Sequence, residues 1–191
     1  MGDDRNIGYA ACLRGLNVGA KNRVAMADLR EIFQQAGALD VVTYIQSGNV
    51  VFRSPMEAET LRLQLESAFS ERFGFSSPIL LRTGEQLRRI LESCPFTDEE
   101  LREAEQGADV EHLHVAMLGD EPTEEAVRRV FSYASPTERI AVVGRDAYLL
   151  VHNGIHKSKV ATNLHRLGAA VTLRNWNTVN RLCQMLAEQE K

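Results

Sequence analysis

The sequence predicts an α+β protein made of two β-α-β-β-α-β units in tandem. Three observations predict it. The order strand, helix, hairpin, helix, strand is read twice along 191 residues. Each long helical segment carries a single apolar stripe, which suits helices covering one face of an antiparallel sheet. Turn chemistry separates the strands at hairpin spacing. The repeat lies in element order, not in residue identity.

Ile7–Leu13 is apolar and compact, fitting a strand, and a polar loop follows through Met26. Leu29, Ile32, Phe33 and Ala36 recur at helical spacing and stop at Gly37, a natural residue just past a helix end. Val41–Gln46 and Val50–Arg53 are β-branched and aromatic runs separated by Ser47-Gly48-Asn49, where Gly48 and Asn49 tolerate positive φ. A helix from about Glu57 sets Leu61, Leu65, Ala68, Phe69 and Phe73 on one side, and Pro78–Arg82 supplies the fourth strand. Thr83 with Gln86, and Thr97 with Glu100, have capping-box spacing and open two short helices.

The order then returns. Val110–Leu118 reads as a strand, and Pro122 starts a helix with Val127, Val130, Phe131 and Ala134 inward. Arg139–Val143 and Ala147–Val151 form a hairpin across Gly144-Arg145-Asp146. Ser158 is a plausible N-cap for a helix bearing Val160, Leu164 and Leu167 and closed by Gly168. Ala170–Leu173 makes the last strand, and a final helix places Val179, Leu182, Cys183 and Leu186 at i, i+3, i+4, i+7. The expectation is two ferredoxin-like sandwiches, over residues 1–83 and 109–191, joined by a helical connector over 84–108, with the C-terminal helix in the second.

Charge is strongly segregated. Ala147 to Ala187 contains no Asp or Glu but holds Lys157, Lys159, Arg166, Arg174 and Arg181, and Arg5 to Ala27 is likewise free of acids. Asp98 to Glu125 packs eleven carboxylates against Arg102 alone. A positive surface on a protein of net charge -4 suggests an anionic ligand rather than a general coating of DNA. Cys12, Cys94 and Cys183 are odd in number and far apart, which indicates neither a disulfide framework nor a zinc site. No signal peptide or apolar run of about 20 residues is present, so a reduced, cytoplasmic protein without a membrane span is expected.

The loop residues carry a resemblance. Tyr9-Ala10-Ala11-Cys12-Leu13-Arg14-Gly15-Leu16-Asn17-Val18-Gly19, Lys21-Asn22-Arg23-Val24 and Met26-Ala27-Asp28-Leu29-Arg30 make a first signature. Tyr44-Ile45-Gln46-Ser47-Gly48-Asn49-Val50-Val51-Phe52 makes a second. Asn153-Gly154-Ile155 with Lys157-Ser158-Lys159, then Thr172-Leu173-Arg174-Asn175-Trp176-Asn177-Thr178, makes a third. Together they resemble the family catalogued as domain of unknown function 1697. Ala25 and His152 stand where that family has, or often has, proline. The resemblance implies paired ferredoxin-like subdomains and lends no activity.

Candidate ligand-binding residues follow from the loops. In the first, Arg14, Lys21 and Arg23 supply charge, Asn17 an amide, and the glycines close backbone approach. The Gly15–Lys21 spacing is not that of a phosphate loop, so nucleotide hydrolysis is not expected. Ser47 and Asn49 are explained by the hairpin turn, or face a ligand with their polar groups. Asn153, Lys157, Ser158 and Lys159 surround an expected helix start, where free N–H groups favour anions; the alternative is two lysines pointing into water. Arg174, Asn175 and Asn177 open the last helix, and there Arg174 is the foremost candidate for an anion. His152 and His156 are the proton-transfer groups beside this loop, and His112 with His114 lacks a third metal ligand. No metal or cofactor is expected.

The favoured reading is a binding module in which these loops share a basic cleft for a phosphate-bearing small molecule or a nucleic-acid backbone. Two rivals stay open: an enzyme acting on a small phosphorylated or carboxylated substrate, and an interaction protein, monomeric or weakly homodimeric, using its acidic and basic faces.

Overall fold

The computed structural model describes residues 6–17, 22–106 and 110–190. Among these, eight strands form two four-stranded antiparallel sheets, accompanied by seven α-helices. The chain divides into two compact units, Met1–Arg88 with Arg181–Lys191, and Arg89–Asn180. This division differs from the one expected: residues 84–108 do not stand apart as a connector, and the C-terminal residues group with the first unit.

The first sheet contains β1 (Ile7–Leu13), β2 (Leu39–Tyr44), β3 (Asn49–Ser54) and β4 (Ile79–Thr83), in the order β2-β3-β1-β4. Tyr9, Ala11, Leu13, Val50, Phe52, Ile79 and Leu81 project from one face. Against them pack Leu29, Ile32 and Phe33 of α1 (Met26–Gln35) and Leu61, Leu65 and Phe69 of α2 (Ala58–Phe73). Phe33 meets Phe52 edge-on with ring centroids 5.1 Å apart. Full burial of each such side chain contributes about 1.5–3 kcal/mol. Gly37 follows α1 at φ 82°, as the helix-stop reading requires.

β2 is an edge strand with a bulge between Leu39 and Val42, and Asp40 there has φ 51°. It ends two residues before the Val41–Gln46 run suggested, because Ile45 turns to φ 48° and begins the loop. Positive φ therefore falls on Ile45 and Gly48, while Asn49 is already in β3.

The second sheet contains β5 (Leu113–Leu118), β6 (Glu138–Val143), β7 (Asp146–Val151) and β8 (Val171–Asn175), in the order β6-β7-β5-β8. One face carries Ala116, Leu118, Ala147, Leu149 and Val171 against Val130 of α5 (Glu124–Phe131) and Val160, Leu164 and Leu167. The other face seats Ala104 of α4 (Asp98–Glu105) on Leu113 and Leu150, with Trp176 packed beside them. Both predicted capping boxes form, Thr97 with Glu100 and Thr83 with Gln86, the latter at the start of α3 (Gly84–Glu92).

Two segments depart from the expected outline. β8 continues to Asn175, so Arg174 belongs to a strand rather than to a helix entrance. The helix at Ser158 shrinks to five residues, α6 (Lys159–Asn163), between 3₁₀ turns at Ile155–Lys157 and Leu164–Arg166. The last helix, α7 (Trp176–Gln189), forms as expected.

A candidate pocket beside beta-7

The first group of predicted site residues gathers at the end of the sheet where β1 finishes. Arg14 is held there by its backbone: its N–H donates to the Pro78 carbonyl at 3.3 Å and to Ser77 Oγ at 3.2 Å, and Ser77 Oγ donates back to its carbonyl at 2.8 Å. The Arg14 and Arg23 side chains are exposed. Lys21 lies outside the described residues.

Asn17, Ser47 and Asn49 have structural roles at that end. Asn17, at φ 55°, donates through Nδ2 to the carbonyls of Val24 at 3.1 Å and Gln46 at 2.8 Å, and its Oδ1 accepts from Val24 N–H at 2.9 Å. It ties the β1–α1 loop to the β2–β3 hairpin, and both ends of its amide are used in doing so. Asn49 is fully buried and donates to the Tyr44 carbonyl and Ser47 Oγ, while Cys12 Sγ lies 3.8 Å from its Oδ1. Its amide fastens the turn from inside, so the polar pattern there reports loop construction. Gly48 explains itself: at φ 79°, an added Cβ would lie 2.9 Å from Leu16 Cδ1 and 3.0 Å from Leu13 Cβ.

The second group gathers where β7 ends, and hence where β5 begins. The loops Arg14–Arg23 and Asn153–Lys159 are thus not equivalent: one follows the first strand of its sheet, the other the third. Arg174 is 9% exposed and donates from Nη1 to Thr172 Oγ1 at 2.7 Å and the Leu173 carbonyl at 2.8 Å. Arg174 thus lies in a strand, and its Nη1 bonds to groups of that strand, so the helix-entrance argument does not apply to it. Asn175 caps α7 by accepting from Thr178 N–H at 2.8 Å, and Asn177 donates to Glu111 Oε1 at 2.6 Å. Ser158 caps α6, accepting from Ala161 N–H at 3.0 Å. With only five residues behind it, that helix lacks the aligned peptide dipoles on which the helix-terminus argument for Lys157 and Lys159 relied.

A pocket of about 230 Å³ nevertheless lies at this position, lined by Ser135, Thr137, Glu138, Val151, Asn153, Gly154, Lys157 and Ser158. The hairpin register assembles it, since Glu138 pairs with Val151. Asn153 Nδ2 donates to Thr137 Oγ1 at 3.3 Å, and Thr137 Oγ1 lies 3.2 Å from Ser135 Oγ. Glu138 Oε2 accepts from Ser135 N–H at 3.0 Å, but its Oε1 is buried without a partner. An unmet buried acceptor costs about 1–3 kcal/mol. Lys157 and Lys159 are exposed and enter no ion pair among the described residues, unlike Arg139, which pairs with Glu100 at 2.8 Å.

Of the pocket residues, Ser135, Thr137 and Glu138 are not among the sequence candidates, since they fall between the helix and the strand Arg139–Val143. The expected hairpin held the missing signal, because it brings the start of one strand to the end of the next.

His156 is exposed and His152 half-buried on this loop. Beneath, His112 Nδ1 lies 2.8 Å from the Val151 carbonyl, and His114, 6% exposed, has no partner for Nδ1. Burial, ahead of any neighbouring charge, holds the His114 pKa below the usual imidazole value. Among the described residues no cluster of three or more His, Cys, Asp or Glu is arranged to hold a metal, and no helix is long and apolar enough to cross a membrane.

Comparison with known proteins agrees with this architecture without naming a ligand. The chain is similar to a solved structure titled as that of the conserved bacterial protein SP0830 from Streptococcus pneumoniae, with a TM-score of 0.72 and 25% identity. The match covers 95% of this chain and 99% of the other. No curated protein matches. A family model, described as protein of unknown function (DUF1697), matches residues 7–148. The signatures around Arg14 and Gly48 fall inside that range, and the chain belongs to the DUF1697 family.

Proposed function

We propose that this chain is a binding protein for a small molecule bearing an anionic group, and that Lys157 receives that group in the pocket beside β7. The observation that carries the reading is an exposed lysine, without an ion-pair partner among the described residues, on the wall of a pocket whose other lining is three hydroxyls, an amide, one carboxylate, Val151 and Gly154. Lysine donates only, so a ligand there must accept. A small ligand suits the site better than a nucleic-acid backbone, which is held by several cations tracking successive phosphates.

We further read each unit as a ferredoxin-like sandwich and the pair as an internal duplication. The identical strand order supports this. So does Leu81-Arg82-Thr83 before α3, matched by Leu173-Arg174-Asn175 before α7, with Thr83 and Asn175 each accepting from a backbone N–H three residues on.

Titration of labelled protein with inorganic phosphate and with L-lactate, followed by amide chemical shifts, tests the binding reading. Shifts centred on Asn153, Lys157 and Ser158 and lost in Lys157→Ala are expected. Shifts confined to the Arg14 end of β1, or none with either probe, would defeat it.

A further inference from the structure

We infer that the ligand of the pocket beside β7 is a small zwitterion of the α-amino-acid class, its carboxylate at Lys157 and its ammonium at Glu138. This rests on the binding reading above. Glu138, whose Oε1 is a buried atom without a hydrogen-bond partner among the described residues, lines the same pocket as Lys157.

A carboxylate only accepts. Its other oxygen already holds the Ser135 N–H at 3.0 Å, and Oε1 is closed off from water. A turn of the carboxylate toward the pocket would present an acceptor that an occupant's donor satisfies. A charged donor makes the shorter and stronger bond to a carboxylate, which favours an ammonium over a hydroxyl. Lys157 sets the opposite requirement. The two side chains line the same pocket without forming an ion pair, so each charge stays available to a ligand carrying both signs.

Size and charge disfavour the obvious alternatives. A volume of about 230 Å³ falls below the about 300–1,000 Å³ of pockets for drug-sized ligands. That is too little for a nucleotide. A lone phosphate or carboxylate at Lys157 shares the pocket with the Glu138 carboxylate, so it binds more weakly than a ligand carrying both signs. The Ser135, Thr137 and Asn153 groups already bond to one another as a polar wall, leaving the two charged ends to orient the guest.

The test is equilibrium binding of the common L-amino acids to the full chain, each compared with its amine-free carboxylate and its carboxylate-free amine. At least one amino acid is expected to bind about tenfold more tightly than both counterparts. Glu138→Gln, nearly isosteric and able to keep the Ser135 contact, removes that advantage and leaves the amine-free carboxylate bound at least as tightly as before, its like-charge neighbour being gone. Lys157→Gln abolishes both, and thermal melts of both variants check that they remain folded. If amine-free carboxylates or inorganic phosphate bind at the pocket and no amino acid binds better, the zwitterion assignment is wrong while the anion reading stands. If carboxylates, phosphate and amino acids all fail to bind, both are wrong.

Discussion

Gly48 shows how one residue fixes the end of a sheet. Its φ of 79° and the absence of room for a Cβ against Leu13 and Leu16 make Gly48→Ala doubly unfavourable. Strain and overpacking together predict a loss of about 1–3 kcal/mol in urea unfolding. His114 makes a second prediction. Its folded pKa is lowered, so the unfolded chain binds more protons in the window where the two forms differ. The stability is complete above the unfolded value, about 6.5, and is lost as the pH falls through the lower folded value. A backbone hydrogen bond with His112 and the charge of Glu111 oppose that lowering, and the charges of His112 and His156 add to it. His114→Leu should flatten the fall in unfolding free energy between neutral and mildly acidic pH; an unchanged slope would assign it to another group.

At the scale of elements, Asn17 joins the β1–α1 loop to the β2–β3 hairpin by three hydrogen bonds. At about 1 kcal/mol each, Asn17→Ala should cost about 2–3 kcal/mol in denaturant unfolding. Asn17→Gly should cost less, because glycine keeps the left-handed φ at no steric penalty. Asn17 also marks the limit of sequence reading. Alternation and helical spacing identified every strand and all the long helices, because burial of one face imposes a period. Polar loop residues carry no period, so an amide that staples a loop and an amide that binds a ligand look alike until partners are seen. The placement of Arg174 differs for a related reason: the spacing does not tell the last residues of a strand from the entrance of the helix that follows. Glu138 was missed because its partners in the pocket come from across a hairpin, not from its own neighbourhood.

For the molecule as a whole, part of the cationic charge is matched locally by carboxylates. Arg53, Arg62, Arg72, Arg128, Arg139 and Arg181 are each engaged by carboxylates, and surface pairs of this kind add little stability. In the basic stretch itself Arg181 has a carboxylate partner, while Lys157 and Lys159 enter no ion pair among the described residues. Binding of L-lactate should weaken only modestly with added salt, as for a contact dominated by one lysine. A steep log–log slope would instead indicate a polyanion spanning several cations. A separate consequence concerns β2, the sheet-edge strand that exposes Leu39, Val42 and Ile45. The bulge at Asp40, its ion pair to Arg53 and the Gln189 amide on its carbonyl interrupt an otherwise pairable ribbon. Deleting Asp40 would straighten that ribbon into a template for stacking chain on chain, exchanging a discrete particle for a fibrous deposit.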